Sequence, residues 1–523
     1  MYPQYKMFIQ GLTRPREAQL KILNNILKSN ANTEYGKINN FMGNITLEQF
    51  KKHIPLTTYN DYSKFINEIS NGKKNVLNSE KVLMFEPTGG STKGTKLIPY
   101  TQGLQADFKR GIYPWLFDLY RNNRNLLRGN SYWAITPSGI GEYITQGGIP
   151  VGFKEDTEYF GFIGKLLKKG IITPPNINNI KDIDKLYYLT LFYLVREENL
   201  SMISVWHPSL LIILIKKLEE YWDDILNSIA IGQIHFDNSI NLKPMPNRSK
   251  ELNCAIKNGK IDIKKVWRNL GLISCWTDGP SEPFAEIIKS IFPNVKIQGK
   301  GLLATEGIVS IPLTGLIGTV LSYRSHYFEF VDINSGEIRN LWELEKGRNY
   351  SLVLTTSGGL YRYKLRDIIN VIDYLKSVPI IKFVGKEDLI ADYYGEKLNE
   401  YFVGEIIKNT IHKYHLKTDF TLFAPSNEGQ FHYVLYISIK NGLNSVLIYN
   451  IETFIDNSLK SNFQYKYARH LKQIKRVEIK ILDPSCNPIE QYLDYFSQKG
   501  QKIGVVKSFL FYPKTDVTKI FGF

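Results

Sequence analysis

Apolar positions along the chain follow two periods in turn. Near the start, Leu20, Ile22, Leu23 and Ile26 recur at helical spacing, and roughly the first eighty residues read as helices. Val82-Leu83-Met84-Phe85 is then an apolar run of strand length that leads into a polar, glycine-rich turn. An amphipathic helix is predicted from about Gln102 to Tyr120, and a strand from Tyr132 to Ile135. Leu200 to Trp206 reads as a buried strand, with Pro208 suited to the first turn of the helix that follows. From Gly271 the chain alternates again: a strand over Leu272–Trp276, a helix over Ser281–Ile291, a strand over Val295–Ile297. Between Ile308 and about Val371 the texture is β-rich, with a Ser357-Gly358-Gly359 turn, and predicts a distorted β-barrel or an extra sheet. Past Phe383-Val384-Gly385 the pattern becomes helix, strand, strand, helix, strand, helix. The expected fold class is therefore α/β, with a large N-terminal domain over residues 1–385 and a smaller α+β domain over residues 386–523.

Composition narrows the function classes. A chain of 523 residues, 43% hydrophobic and 22% charged, sustains large cores and is not a disordered segment. The net charge of +16 suits nucleic acid, an anionic membrane or anionic small substrates such as ATP. Enrichment in Lys, Asn and Ile together also fits a solvated lysine surface of no special purpose. Cys254, Cys275 and Cys486 are too few and too scattered for a disulfide framework or a zinc site, which points to a reducing, cytoplasmic setting. The opening residues hold no apolar stretch of signal-peptide length. The strongest apolar run, Leu210–Ile215, is far short of the ~20 residues a membrane span needs, so no membrane partner is expected.

Thr88-Gly89-Gly90-Ser91-Thr92-Lys93-Gly94-Thr95-Lys96 carries the first chemistry. Glycines let backbone N–H groups approach an anion, hydroxyls add donors, and lysine adds a mobile positive charge. The spacing is not that of a Walker A loop. Read on residue types alone, the stretch is either a phosphate cradle or a surface turn.

From this stretch onward the chain resembles the auxin-responsive acyl-acid amido synthetases, a branch of the adenylate-forming superfamily that includes firefly luciferase and the acyl-CoA synthetases. Thr88 to Thr101 resembles the family's phosphate loop. Val205-Trp206-His207-Pro208-Ser209, Trp276-Thr277-Asp278-Gly279, Leu302 to Gly307, Leu360 to Asp367, Phe383 to Asp388 with Gly395 to Leu398, and Gly504-Val505-Val506-Lys507 resemble its later motifs, in order. The resemblance implies a two-step reaction. A carboxylic acid and ATP give an acyl-adenylate and pyrophosphate; an amine, usually of an amino acid, then takes the acyl group and AMP leaves. It implies that Thr88, Gly89, Gly90, Ser91 and Thr92, with Lys96, cradle phosphate. It implies that Glu306 holds Mg²⁺, that Ala304 and Thr305 line the adenine or α-phosphate edge, and that Asp367 takes the ribose hydroxyls. Lys386 and Lys397 would add charge near ribose and phosphate, and Lys507 would arrive on a mobile C-terminal domain to neutralise the transition state. The acid would lie against the helix after the phosphate loop, where Arg110, Tyr113, Trp115, Phe117 and Arg121 are candidates. A cation there would hold a second carboxylate and the aromatics would sandwich a ring.

The chain departs from the family pattern in places. The phosphate loop is one residue shorter than usual between Gly94 and Lys96, which leaves the roles of Lys93 and Lys96 open. Arg366 stands where Gly is usual, His207 where Asn is usual, and Lys386 where Arg is usual. His207 is read as a structural hydrogen-bonder, and Tyr361 and Tyr363 as packed sheet residues. Asp367 has an alternative as a salt-bridge partner of Arg362. No nucleophile elbow, HExxH or dinucleotide fingerprint competes with this reading. Two other functions stay open: an adenylate-former whose acceptor is a thiol such as CoA, and a basic nucleic-acid-binding or scaffolding protein using the run Lys466–Lys480.

Overall fold

The computed structural model describes residues 1–41, 46–88, 96–134, 143–152, 170–172, 174, 180, 182–257, 259–387, 389–440, 442–499 and 510–521. Two compact units divide the chain. One comprises Met1–Thr277, Ile288–Leu365 and Asn370–Lys382; the other comprises Asp278–Ile287, Arg366–Ile369 and Phe383–Phe523.

The larger unit begins with the helices Tyr2–Gln10, Pro15–Ser29, Glu34–Ile38, Leu47–His53 and Tyr59–Ser70. Local chemistry sets their starts. Proline stands in the first turn of the first two, and Thr46 with Gln49 forms a reciprocal cap that satisfies two otherwise orphaned N–H groups. Leu23, Ile26 and Leu27 turn their stripe inward.

A parallel five-stranded sheet follows, in the order Lys296–Gly299, Leu272–Cys275, Leu200–Ser204, Asn130–Trp133, Ile171–Ile172. Leu200–Ser204 is buried along its whole length, as a central parallel strand covered on both faces must be. Pro208 opens the helix Pro208–Ile231, where its missing N–H costs nothing. A four-stranded sheet pairs Met84–Thr88 antiparallel with Lys96–Tyr100 and parallel with Pro150–Val151. The β-rich stretch is a seven-stranded sheet that runs from one edge at Ser310–Ile311 to another at Ile338–Asn340.

In the smaller unit, the strands Thr418–Ser426, His432–Ile439 and Glu478–Leu482 form a sheet with Ile437 and Ile479 in its core. The helices Glu400–Lys413 and Ser445–Leu459 pack Ile407, Ile451 and Ile455 against it. An additional helix, Phe463–His470, interrupts the expected alternation. Tyr465 and Ala468 face the core while Phe463 and Tyr467 are exposed, so its apolar residues fall on both faces and leave no clean stripe to read. Among the described residues no helix is long and apolar enough to cross a membrane.

Candidate functional site

In the larger unit the hairpin register fixes the two ends of the glycine-rich stretch. Thr88 pairs with Lys96 at one end of the ladder and Met84 with Tyr100 at the other. Gly89, Gly90, Ser91 and Thr92 lie outside the described residues. Lys96 extends over the ring of Tyr59, 5.9 Å from its centroid, and the Tyr59 hydroxyl accepts from the Leu97 N–H at 2.8 Å. Tyr59 thereby holds this strand end through two contacts.

Four residues along, about 13 Å at strand rise, the Tyr100 hydroxyl donates to the Thr305 carbonyl at 2.8 Å. Thr305 and Glu306 form the two-residue turn of a hairpin in which Ala304 pairs with Gly307. His326 supports it from behind: its Nε2 accepts from the Ile308 N–H at 3.0 Å, and a Cβ on Gly307 would lie 2.7 Å from that same nitrogen. Glu306 is 8% exposed, and its carboxylate accepts from the Tyr363 hydroxyl at 3.3 Å. Tyr100 thus ties the turn at Thr305 to the strand that begins at Lys96, and Tyr363 ties Glu306 to the strand Tyr363–Leu375. Tyr361 and Tyr363 are both buried, Tyr363 as the first residue of the strand Tyr363–Leu375 and Tyr361 just ahead of it.

The helix Gln102–Asn122 divides the five acid-pocket candidates by angle. Phe117 packs with tilted rings at 4.8 and 5.3 Å against Tyr5 and Tyr2 of the first helix, and Arg121 lies over the Tyr5 ring. Arg110 donates to the Arg324 carbonyl at 3.0 Å and pairs with Asp107. It lines a separate cavity of about 300 Å³ with Lys21, Asn25, Glu80 and Ser357. Tyr113 is half-buried, and burial pushes its hydroxyl up from the ordinary range. Trp115, two positions and ~200° around the helix from Phe117, turns to the parallel sheet, where its indole N–H donates to Gln298 at 3.1 Å.

Trp115 leads to a residue that sequence reasoning missed. Lys300 directly follows the strand Lys296–Gly299, and its ammonium lies 5.6, 5.4 and 5.2 Å from the ring centroids of Trp115, Trp133 and Trp206. Lys300 is 7% exposed and donates to Ser204 Oγ at 2.8 Å. Burial pushes its amine down to about 8, only partly opposed by the thiol of Cys275, whose own burial pushes it up to about 12. The flanking backbone is tight. A Cβ at Gly299 would lie 2.4 Å from Thr277 Oγ1, and one at Gly301 would lie 1.9 Å from the Ser310 carbonyl. The available signal was a charged residue between two glycines at the carboxyl end of a parallel strand, where open α/β sheets bind ligands. In a lysine-rich chain that signal was easy to pass over.

His207 is the structural hydrogen-bonder expected. It caps the helix Pro208–Ile231, with Nδ1 accepting from the Ser209 N–H at 3.2 Å and 2.7 Å from the Ser209 hydroxyl. Burial pushes its ring down to about 3, so the cap is a neutral imidazole. Arg362 pairs with Glu329 rather than with Asp367, its Nε and one terminal nitrogen reaching the two carboxylate oxygens at 2.9 and 3.0 Å.

In the smaller unit, Asp367 is 4% exposed and one of its carboxylate oxygens meets the Lys386 ammonium at 2.7 Å. The Glu387 N–H donates to the Arg366 carbonyl at 2.9 Å, and the Phe383 N–H to Asp278 at 3.1 Å. These bonds fasten Asp367, Lys386 and Asp278 into one cluster. Arg366 is exposed and sits at φ +64°, a left-handed conformation natural to the glycine it replaces. Lys397 is exposed beside the buried Glu396, which accepts from the N–H groups of Tyr393 and Tyr394. Lys507 lies outside the described residues. The basic run is partly tied into packing, with Lys466, Lys472 and Lys475 exposed. Arg469 holds Asp456 at 2.9 and 3.1 Å, Arg476 donates to Thr453 at 2.7 Å, and Lys480 meets Glu428 at 2.6 Å.

Comparison with known proteins places this geometry. Residues 4–297 match the GH3 family N-terminal domain, 319–386 the GH3 family central domain and 403–510 the GH3 family C-terminal domain. An indole-3-acetic acid-amido synthetase of Arabidopsis thaliana, GH3.4, is 23% identical over 96% of this chain and 90% of its own length. A jasmonoyl–L-amino acid synthetase of Oryza sativa subsp. japonica, GH3.5, is 23% identical over 97% and 93%. Among solved structures, the acyl acid amido synthetase AtGH3.15 in complex with 2,4-DB superposes with a TM-score of 0.85 at 21% identity, covering 99% of this chain and 95% of the other. A 2-hydroxyisobutyryl-CoA ligase in its postadenylation state superposes at 0.51 and 10% identity, covering 90% and 85%.

Proposed function

The chain belongs to the GH3 family, and from that premise we propose that it is an ATP-dependent acyl-acid amido synthetase that joins a small carboxylic acid to the amine of an amino acid. The observation that carries the reading is the hairpin at Thr305-Glu306, a buried carboxylate held by Tyr363 and backed by Tyr100. It sits in a chain that matches amide-forming relatives along nearly all its length.

The first step forms a bond between a carboxylate oxygen and the α-phosphorus of ATP and breaks the bond to pyrophosphate. In the second, the amine nitrogen attacks the acyl carbon, the carbon–oxygen bond to AMP breaks, and the amine loses a proton. Thr88 and Lys96 frame the phosphate cradle, with Gly89, Gly90, Ser91 and Thr92 between them. Ala304 and Thr305 line the nucleotide edge. Asp367 receives the ribose hydroxyls, with Lys386 holding its other oxygen. Lys397 adds charge, and Lys507 neutralises the α-phosphate as charge develops there.

Glu306 offers Mg²⁺ a hard oxygen donor, and the tyrosine bond that orients this carboxylate suits it to that role. Among the described residues no group of three or more His, Cys, Asp or Glu side chains forms a cage, so a single carboxylate would share the ion with substrate phosphates and water. Bound there, Mg²⁺ would screen the phosphate charge that repels an incoming carboxylate. The acid lies along the Trp115 face of its helix, away from Phe117 and Arg121. The reaction is placed in the cytoplasm. Residues 386–523 act as the mobile part, with turnover coupled to their movement.

Purified protein incubated with ATP, Mg²⁺, a panel of aromatic and aliphatic acids and the twenty amino acids is expected to yield AMP and an acyl–amino-acid conjugate in equal amounts by mass spectrometry. AMP formed only when CoA replaces the amino acids would overturn the amide assignment.

A further inference from the structure

We propose that Lys300 anchors a second acidic group on the acyl acid. The substrate class would then be acids with two anionic groups, one adenylated and one held among Trp115, Trp133 and Trp206. This deepens the adenylating reading and rests on it.

The surroundings of Lys300 are unusual for a structural cation. An ammonium has three hydrogens to donate. Among the described residues Ser204 Oγ takes one, and no carboxylate lies within ion-pair distance of the other two. Ring faces attract the charge but do not replace its water, so burial at 7% exposure costs stability. The cage is nonetheless built with care. Gln298 fixes the Trp115 indole, Ser131 fixes that of Trp133 at 3.2 Å, and glycines hold the lysine backbone on both sides. Trp133 and Trp206 remain half-buried, so the cage is not sealed.

Position supplies a second, independent reason. Trp133 ends one parallel strand, Trp206 lies two residues past the next, and Lys300 directly follows a third. The cage therefore occupies the carboxyl edge of the sheet, where such sheets receive ligands. The cations first considered for a second carboxylate are committed elsewhere, Arg110 to Asp107 and Arg324, Arg121 to Tyr5.

The group held is the one that does not react. A carboxylate attacking phosphorus gives up its negative charge, and an ammonium fixed to it would hold back the attacking lone pair. A group that stays anionic is gripped equally in ground and transition states, which affects binding and not turnover. A KM effect without a kcat effect follows.

The test measures binding and adenylation separately in wild type, Lys300→Met and Lys300→Arg. The probes are matched pairs, isophthalate with benzoate and glutarate with butyrate, plus aliphatic dicarboxylates from malonate to suberate. Calorimetry without ATP is expected to show at least one diacid binding wild type about tenfold or more tightly than its monoacid, the scale of one charge-assisted hydrogen bond. Lys300→Met should erase that preference and Lys300→Arg should keep part of it. At pH 8.5 diacid binding should take up a proton, because an anion beside Lys300 raises an amine that burial has lowered. In ATP–pyrophosphate exchange, Lys300→Met should raise KM for the diacid at least about tenfold more than it changes KM for the matched monoacid. The melting temperature of Lys300→Met should equal or exceed that of wild type. A preference that survives Lys300→Met, a melting temperature that falls in it, or a wild type that binds no diacid overturns the inference. Lys300-dependent binding without exchange for any acid would keep the cage and remove the adenylation reading. Exchange with diacids and monoacids alike, indifferent to Lys300, would do the reverse.

Discussion

Two buried cations in the larger unit meet opposite treatment. Arg362 is 2% exposed, and its fork is filled: both oxygens of Glu329, and the carbonyls of Lys51 and Ile54 at 3.0 and 2.6 Å. Lys300 is nearly as deep and holds one hydroxyl and three ring faces. The first arrangement ties the strand after Gly359 to the helix Leu47–His53 and the strand Tyr327–Asp332, and leaves nothing for a ligand. The second leaves donors over. His207 shows a third way to bury a base, as a neutral acceptor. A buried charge by itself therefore does not mark a site; unfilled hydrogen-bond capacity does.

Substitutions test how far the contrast holds. The largest effect is expected at Arg362→Met, which strands Glu329 in the core and should cost about 3–5 kcal/mol in urea unfolding; a cost below about 1 kcal/mol would break the comparison. Next is the pH dependence of Lys300. Above pH 8 the folded chain sheds a proton that the unfolded chain keeps to about 10.5, so wild-type stability should gain on Lys300→Met by up to about 3 kcal/mol across that window. Parallel curves for the two proteins would show that the lysine is not desolvated. His207 should act at the acid end. The unfolded ring takes a proton below about 6.5 and the folded ring refuses it until about 3, so stability falls as pH drops through that range. His207→Asn keeps a side-chain cap and should lose about 2 kcal/mol less than wild type between pH 7 and pH 5. The smallest effect belongs to the half-open pair. Asp367→Ala should weaken ATP binding about tenfold by calorimetry while leaving far-UV dichroism unchanged, the scale of one charged hydrogen bond; unchanged ATP affinity would remove Asp367 from the ribose.

Most of the frame was legible along the chain. The helix at Gln102, the strand at Leu200 and the turn at Pro208 announce themselves through period and punctuation, because burial on one face leaves a local record. Trp115 was legible as a candidate for the acid pocket, but its separation from Phe117 was not. Both lie on one helix, and what stands opposite each face is a tertiary fact. Lys300 was hidden for the same reason: Ser204, Trp133 and Trp206 reach it from two other strands. The additional helix Phe463–His470 escaped because it is short and carries apolar residues on both faces, Tyr465 and Ala468 inward, Phe463 and Tyr467 outward.

Arg366 has a consequence for how the chain tolerates change. A side chain at φ +64° costs about 1–2 kcal/mol in the folded state. The glycine usual there would relieve that strain but give back about 0.5–1 kcal/mol through the greater freedom of its unfolded chain. The two conformational terms oppose each other and leave roughly 0.5–1 kcal/mol in favour of glycine, so exchanging glycine and arginine beside Asp367 is a small step. Drift can cross such a position in either direction, and an arginine there does not count against the ribose role proposed for Asp367.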